Sequence, residues 1–186
     1  MSSLTELYWE IALCQQCEIA KYRTKVVPGE GAENAEILFI GEAPGWHEDQ
    51  QGRPFVGPAG QFLNELLASI NMKREQVYIA NVLKCRPPNN RDPKPEEVVC
   101  CEGYLQRQVA LIKPKMILAV GRIAAHNLLK TDNSLAKLRQ RTYNYGPTET
   151  PLIVTYHPAY LLRSPREKRK AWQDLQYAVK VFKQLT

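Results

Sequence analysis

Glu36-Ile-Leu-Phe-Ile-Gly41 is an unbroken apolar run closed by glycine, too short for a helix, and it reads as a strand buried on both faces. Three runs of the same kind follow: Val77-Tyr-Ile-Ala-Asn-Val-Leu83, Met116-Ile-Leu-Ala-Val-Gly121 and Leu152-Ile-Val-Thr-Tyr156. Helical stripes separate them. Phe62, Leu63, Leu66, Leu67 and Ile70 share one face, Val98, Cys101, Leu105, Val109 and Ile112 another, and Ile123, Ala124 and Leu128 suggest a third helix. A fourth helix should start after Ser164-Pro165, with Ser as cap, Pro in the first turn, and Trp172, Leu175, Val179 and Phe182 on its buried side. Strands alternating with helices predict an α/β chain, a three-layer α/β/α sandwich around a mostly parallel four-stranded sheet. With no linker, repeat or low-complexity tract, residues 1–186 read as one domain, and residues 87–95 as a polar loop within it.

The composition narrows the partners. No apolar run approaches the roughly 18 residues of a membrane span, and the N-terminus lacks the basic start and apolar stretch of a signal peptide, so a cytoplasmic location and no membrane partner are expected. Lys and Arg number 25 against 19 Asp and Glu, a formal charge of +6 that favours an anionic partner such as nucleic acid. The excess concentrates in Arg163, Arg166, Lys168, Arg169 and Lys170.

Cysteine supplies the sharpest chemical signal. Cys14 and Cys17 form a C-x-x-C pair, and Cys85 with one of the neighbours Cys100 and Cys101 would complete a tetrathiolate site. In a reducing cytosol clustered thiols favour a metal or cluster over disulfides. Spacing alone does not choose between zinc and an iron-sulfur group.

Ligands of an open α/β sheet bind beyond the carboxyl ends of its strands. The first strand runs into Gly41-Glu-Ala-Pro-Gly45, the second carries Asn81 and leads to Cys85-Arg-Pro-Pro88, and the fourth ends in His157-Pro-Ala-Tyr-Leu-Leu-Arg163. A carboxylate, an amide, a histidine and aromatics should therefore converge at one edge.

Those segments, with Gly52-Arg-Pro-Phe-Val-Gly57 and Cys101-x-x-Tyr104-Leu105-x-x-Gln108, resemble the family 4 uracil-DNA glycosylases, the iron-sulfur members of their superfamily. The likeness runs from Cys14 to Arg163 with the motifs in the family's order. It implies a [4Fe-4S] cluster held by Cys14, Cys17, Cys85 and Cys101, which ties down the N-terminal segment and leaves Cys100 spare. It further implies a monomeric hydrolase that acts on uracil-containing DNA, releases uracil and leaves an abasic site.

The resemblance assigns roles that suit the residue types. Phe55 is expected to stack on the extruded base. The Asn81 amide matches the O4 acceptor and N3–H donor of uracil, a pattern that cytosine reverses. Glu48 corresponds to the residue expected to block the thymine methyl. His157 is placed to donate to uracil O2 as negative charge develops, and needs no protonation to do so. Glu42 is expected to orient or activate the attacking water, with the backbone of Gly41 and Ala43 supporting the pocket. Leu161 is the expected wedge into the base stack, Leu162 its alternative, while Arg163, Arg166 and Lys170 meet phosphates. Trp46-His47 stands where many members carry acidic residues, a departure that bears on pocket width. A uracil-DNA binding or covalent-trapping protein of the same superfamily is the alternative; it ranks lower because no basic insertion follows Gly121. A zinc-stabilised nucleic-acid module ranks third.

Overall fold

A computed structural model describes residues 2–186. The strand around Phe39 forms as expected, as β2 (Ile37–Gly41), and every residue in it is buried. Strands β3 (Tyr78–Asn81) and β4 (Met116–Val120) are also buried throughout and flank it in parallel, and β6 (Thr150–Thr155) continues the parallel set beyond β4. Burial on both faces explains why these strands are apolar at every position rather than alternating.

Side chains still part by the two-residue period of a strand. Leu38, Ile40, Ala80, Ile117 and Ala119 face a layer built from α1 (Leu4–Ala12), α4 (Pro95–Ile112) and α5 (Arg122–Leu129). Ile37, Phe39, Ile79, Leu118 and Val120 face α3 (Pro58–Ser69) and α8 (Lys168–Leu185). Three short helices, α2 (Trp46–Gln51), α6 (Leu135–Leu138) and α7 (Pro158–Arg163), lie between the main elements.

With β1 (Glu30–Gly31) and β5 (Tyr143–Tyr145) added at its edges, the sheet has six strands rather than the four expected, in the order β1-β3-β2-β4-β6-β5. Both additions are antiparallel edges of two and three residues, too short to leave a periodic signal. The chain goes from β2 to β3 on one side, then crosses β2 to reach β4. That reversal opens a crevice above the carboxyl ends of β2, β3 and β4.

The start of α8 also departs from expectation. A 3-10 turn over Pro165–Glu167 precedes it, and the Ser164 side chain makes no capping bond. Trp172, expected inside, is 52% exposed, because the buried stripe is Ala171, Asp174, Leu175 and Ala178. The polar Asp174 occupies a core position where its carboxylate accepts from Arg139 Nε, Gln140 Nε2 and Thr155 Oγ1 at 2.7–3.0 Å. Among the described residues no helix is long and apolar enough to cross a membrane.

Candidate active site

The crevice holds a hollow of about 450 Å³ lined by Glu42, Ala43, Glu48, Phe55, Asn81 and His157, among others. Six residues expected at the site thus meet from the ends of β2, β3 and β6, from α2 and from the loop before α3. Gly41 belongs with them. A Cβ there would lie 2.6 Å from both Phe55 Cζ and Asn81 Oδ1, so only a bare backbone lets the ring and the amide approach together.

Asn81 ends β3 and is 2% exposed, yet its Oδ1 has no hydrogen-bond partner. A buried acceptor left unpaired costs about 1–3 kcal/mol. Asn81 thus brings an unpaired acceptor to the wall of the hollow. From below, the Asn81 carbonyl accepts from Lys84 Nζ at 2.8 Å, and the same ammonium donates to Gln108 Oε1 at 2.7 Å. Lys84 is wholly enclosed, and burial pushes its pKa down to about 7. Sequence gave no sign of it, since a lysine at the end of an apolar run reads as a strand leaving the core.

Phe55 has φ +51°, a left-handed backbone that costs an ordinary residue about 1–2 kcal/mol. The conformation turns its ring inward, where it lies 5.5 Å from the His157 ring at 29°. His157 itself caps α7. Its Nδ1 accepts the Ala159 N–H at 3.0 Å, which leaves the proton on Nε2 and makes that nitrogen a donor. Burial first, and Arg163 second, lower its pKa to about 4, so the ring is neutral at physiological pH.

Glu42 follows β2 and stands half-buried between this hollow and an adjoining one of about 560 Å³, lined also by Arg122, Tyr156 and Tyr160. Desolvation, reinforced by Asp92 and opposed by Arg122, raises its carboxyl to about 7. Glu48, in the first turn of α2, is fixed by the loop before α3: its Oε1 accepts from the Val56 and Gly57 amides at 3.3 and 3.4 Å.

The segment after His157 is a helix, α7, and its packing separates the two leucines expected as wedge. Leu161, the expected wedge, is fully buried with Phe62, Tyr156 and Ala171, whereas its alternative Leu162 is 42% exposed. Along a helix neighbouring residues point about 100° apart, and identical leucines give no clue to which faces inward. Arg163 reaches the rim of both hollows, Arg166 is exposed, and Lys170 pairs with Glu167 at 2.8 Å.

The thiols lie elsewhere, in the α1 and α4 layer. Cys14 follows α1, Cys17 opens a 3-10 turn, Cys85 is buried after β3 and Cys101 is buried in α4. The Arg23 guanidinium donates to Cys85 Sγ at 3.3 Å. Such a donor favours metal-bound thiolate. Burial raises the thiols of Cys17 and Cys85 and pushes Cys101 up to about 12, so without a bound group they hold their protons. Cys100 turns aside, 3.4 Å from the Gln16 carbonyl. Among the described residues no three donors close on a single-ion position.

Comparison with known proteins agrees with this geometry. Residues 28–176 match the profile described as Uracil DNA glycosylase superfamily. A type-4 uracil-DNA glycosylase of Archaeoglobus fulgidus is 46% identical over 181 residues, covering 94% of this chain and 90% of the relative. Those of Sulfurisphaera tokodaii and Thermotoga maritima are each 42% identical, over 94% and 91% of this chain and 82% and 90% of their own lengths. The chain therefore belongs to the uracil-DNA glycosylase superfamily, among its type-4 members.

Proposed function

We propose that the chain hydrolyses the N-glycosidic bond of deoxyuridine in DNA, releasing uracil and leaving an abasic site for base excision repair. The observation that carries this reading is the buried, unpartnered Oδ1 of Asn81 at the wall of a hollow beside an aromatic ring and a neutral histidine donor. Uracil offers N3–H to that oxygen and O4 to the amide nitrogen, while Phe55 covers its face. Glu48 then stands toward C5 to exclude the thymine methyl, and the backbone of Gly41 and Ala43 completes the wall.

As the C1′–N1 bond breaks, its electron pair passes into the uracil ring and positive charge grows on the sugar. His157 Nε2–H donates to O2, where the negative charge collects, at no cost in protonation. Glu42 takes the proton of a water whose oxygen adds to C1′, and the departing uracil anion takes up a proton in exchange through solvent. No lysine in the hollow is placed to attack the sugar, so the reaction ends at the abasic site.

Because Glu42 must be ionised to accept that proton, the single-turnover rate is expected to rise with pH through about 7 and to fall tenfold per unit below it. His157, with a pKa near 4, adds no limb in that range. Glu42→Gln should slow the reaction about 10²-fold and flatten the profile. A limb near pH 7 that survives in Glu42→Gln would assign it to another group.

Cys14, Cys17, Cys85 and Cys101 are read as ligands of a [4Fe-4S] cluster that fastens the N-terminal segment to the loop after β3 and to α4. Support comes from the gathering of the four cysteines in one layer, with Cys85 and Cys101 buried, Cys14 and Cys17 packed against the same apolar cluster, and the Arg23 guanidinium donating to Cys85. Protein purified without oxygen should contain about four iron and four sulfide per chain. Stoichiometric zinc without iron would overturn the assignment. Leu162, Arg163, Arg166 and Lys170 are read as the DNA contacts, with the exposed Leu162 as the wedge. We take residues 1–186 as one domain that works as a cytoplasmic monomer.

Chromatography of the small molecules released from uracil-containing DNA tests the reaction class. Free uracil is expected. Deoxyuridine or its monophosphate would show a nuclease instead.

A further inference from the structure

We infer that Arg74 is a positioning residue for the proposed reaction, holding Phe55 in the backbone conformation that presents its ring to the base. Arg74 opens a 3-10 turn before β3 and takes no part in lining the hollow. Its guanidinium donates from Nη1 to the Phe55 carbonyl at 2.8 Å and from Nη2 to the Pro54 carbonyl, so one planar fork grips two consecutive peptide units. Nη1 also reaches Asn64 Oδ1 on α3 at 3.4 Å, and Nη2 reaches Glu30 Oε2 on β1 at 3.4 Å. Glu30 in turn accepts from Arg53 at 2.7 and 3.1 Å. The clamp thus braces the loop against both a helix and the edge strand.

What the clamp holds is a conformation that phenylalanine does not adopt by preference. Phe55 sits at φ +51°, and its carbonyl is pressed so close to α3 that a Cβ on Gly60 would lie 1.8 Å from it. A right-handed Phe55 would withdraw the carbonyl from Arg74 and turn the ring away from Gly41 and His157. Arg74 is itself largely enclosed, with a side chain 16% exposed and a buried Nε that finds no partner. An arginine accepts an unpaired buried donor here while its other two nitrogens serve the loop.

This inference rests on the proposed stacking of uracil on Phe55, and a double-mutant cycle separates the two. Arg74→Lys supplies one ammonium, which cannot span both carbonyls in the same plane. It is expected to lower the saturating single-turnover rate roughly 10- to 100-fold, as a small misplacement of a positioning group does, with affinity for undamaged DNA unchanged. In a Phe55→Ala background the same substitution should cost less than about twofold, because the ring it positions is gone. Full additivity in the cycle would overturn the inference while leaving the stacking intact. A Phe55→Ala enzyme as fast as the parent would sink both. Glu30→Gln, which slackens the clamp but keeps Arg74, gives an independent check: it should lower the rate partially, and again only when Phe55 is present. An equal effect without Phe55 would reduce the clamp to a brace for the fold.

Discussion

Asn81→Asp is expected to slow uracil release about 10³-fold and to bring measurable release of cytosine from the same oligonucleotide. The amide presents an acceptor and a donor in one fixed plane, and its Oδ1 has nothing else to bond. A site built on hydrogen bonds discriminates strongly because the wrong partner leaves buried groups unpaired. In a buried site an aspartic acid stays protonated more readily than in water. It would then donate to cytosine N3 and accept from the cytosine amino group, the reverse of the pattern that asparagine offers to uracil. Asn81→Ala should lose uracil release to a similar extent without gaining cytosine. Single-turnover rates on matched oligonucleotides with one uracil or one cytosine check this; undiminished uracil release by the aspartate variant would end the amide's role in reading the base.

The second large effect is expected at His157. Removing one donor from a developing anion costs roughly 10²- to 10³-fold in rate. His157→Ala should show that loss in the chemical step while affinity for uracil-containing DNA changes little, since a bond that strengthens only as charge develops contributes weakly to the ground state. His157, with a pKa near 4, does not titrate near neutrality, so the pH profile of the alanine variant should keep the limb near 7 that belongs to Glu42. Equal losses in rate and affinity would move His157 from catalysis to binding.

Sequence disclosed the parallel core and most of the hollow for the same reason. Strands buried on both faces are continuous apolar runs, and the residues that follow them must gather at one edge of the sheet. Gly41, Glu42, Asn81 and His157 were therefore legible as a set, while Phe55, in the loop before α3, was reached only through the family resemblance. What stayed hidden depends on which way single side chains turn. Leu161 and Leu162 are chemically identical, and only the packing of α7 on Phe62 and Tyr156 decides that the first is core. Trp172 was assigned inward by hydrophobicity, yet the buried register of α8 is set by Asp174 and its partners, a polar network with no periodic signature. Arg74 and Lys84 act through main-chain carbonyls, so nothing in their neighbours' side chains announces them. The edge strand that carries Glu30 is two residues long.

Mutual support among these parts is itself informative. The strained Phe55, the bare Gly41 and the unpaired Asn81 oxygen each cost stability alone. They meet at one wall of the hollow, and a bound base would pair the Asn81 oxygen there.

The most direct test is a single-turnover assay with purified protein in excess over an oligonucleotide carrying one uracil, followed by alkali and a denaturing gel. Strand cleavage that appears only after alkali, with one free uracil per strand and no slower-migrating protein-DNA species, is the predicted result. Intact strands after alkali, or a protein-DNA species that survives denaturation in place of turnover, would contradict the account.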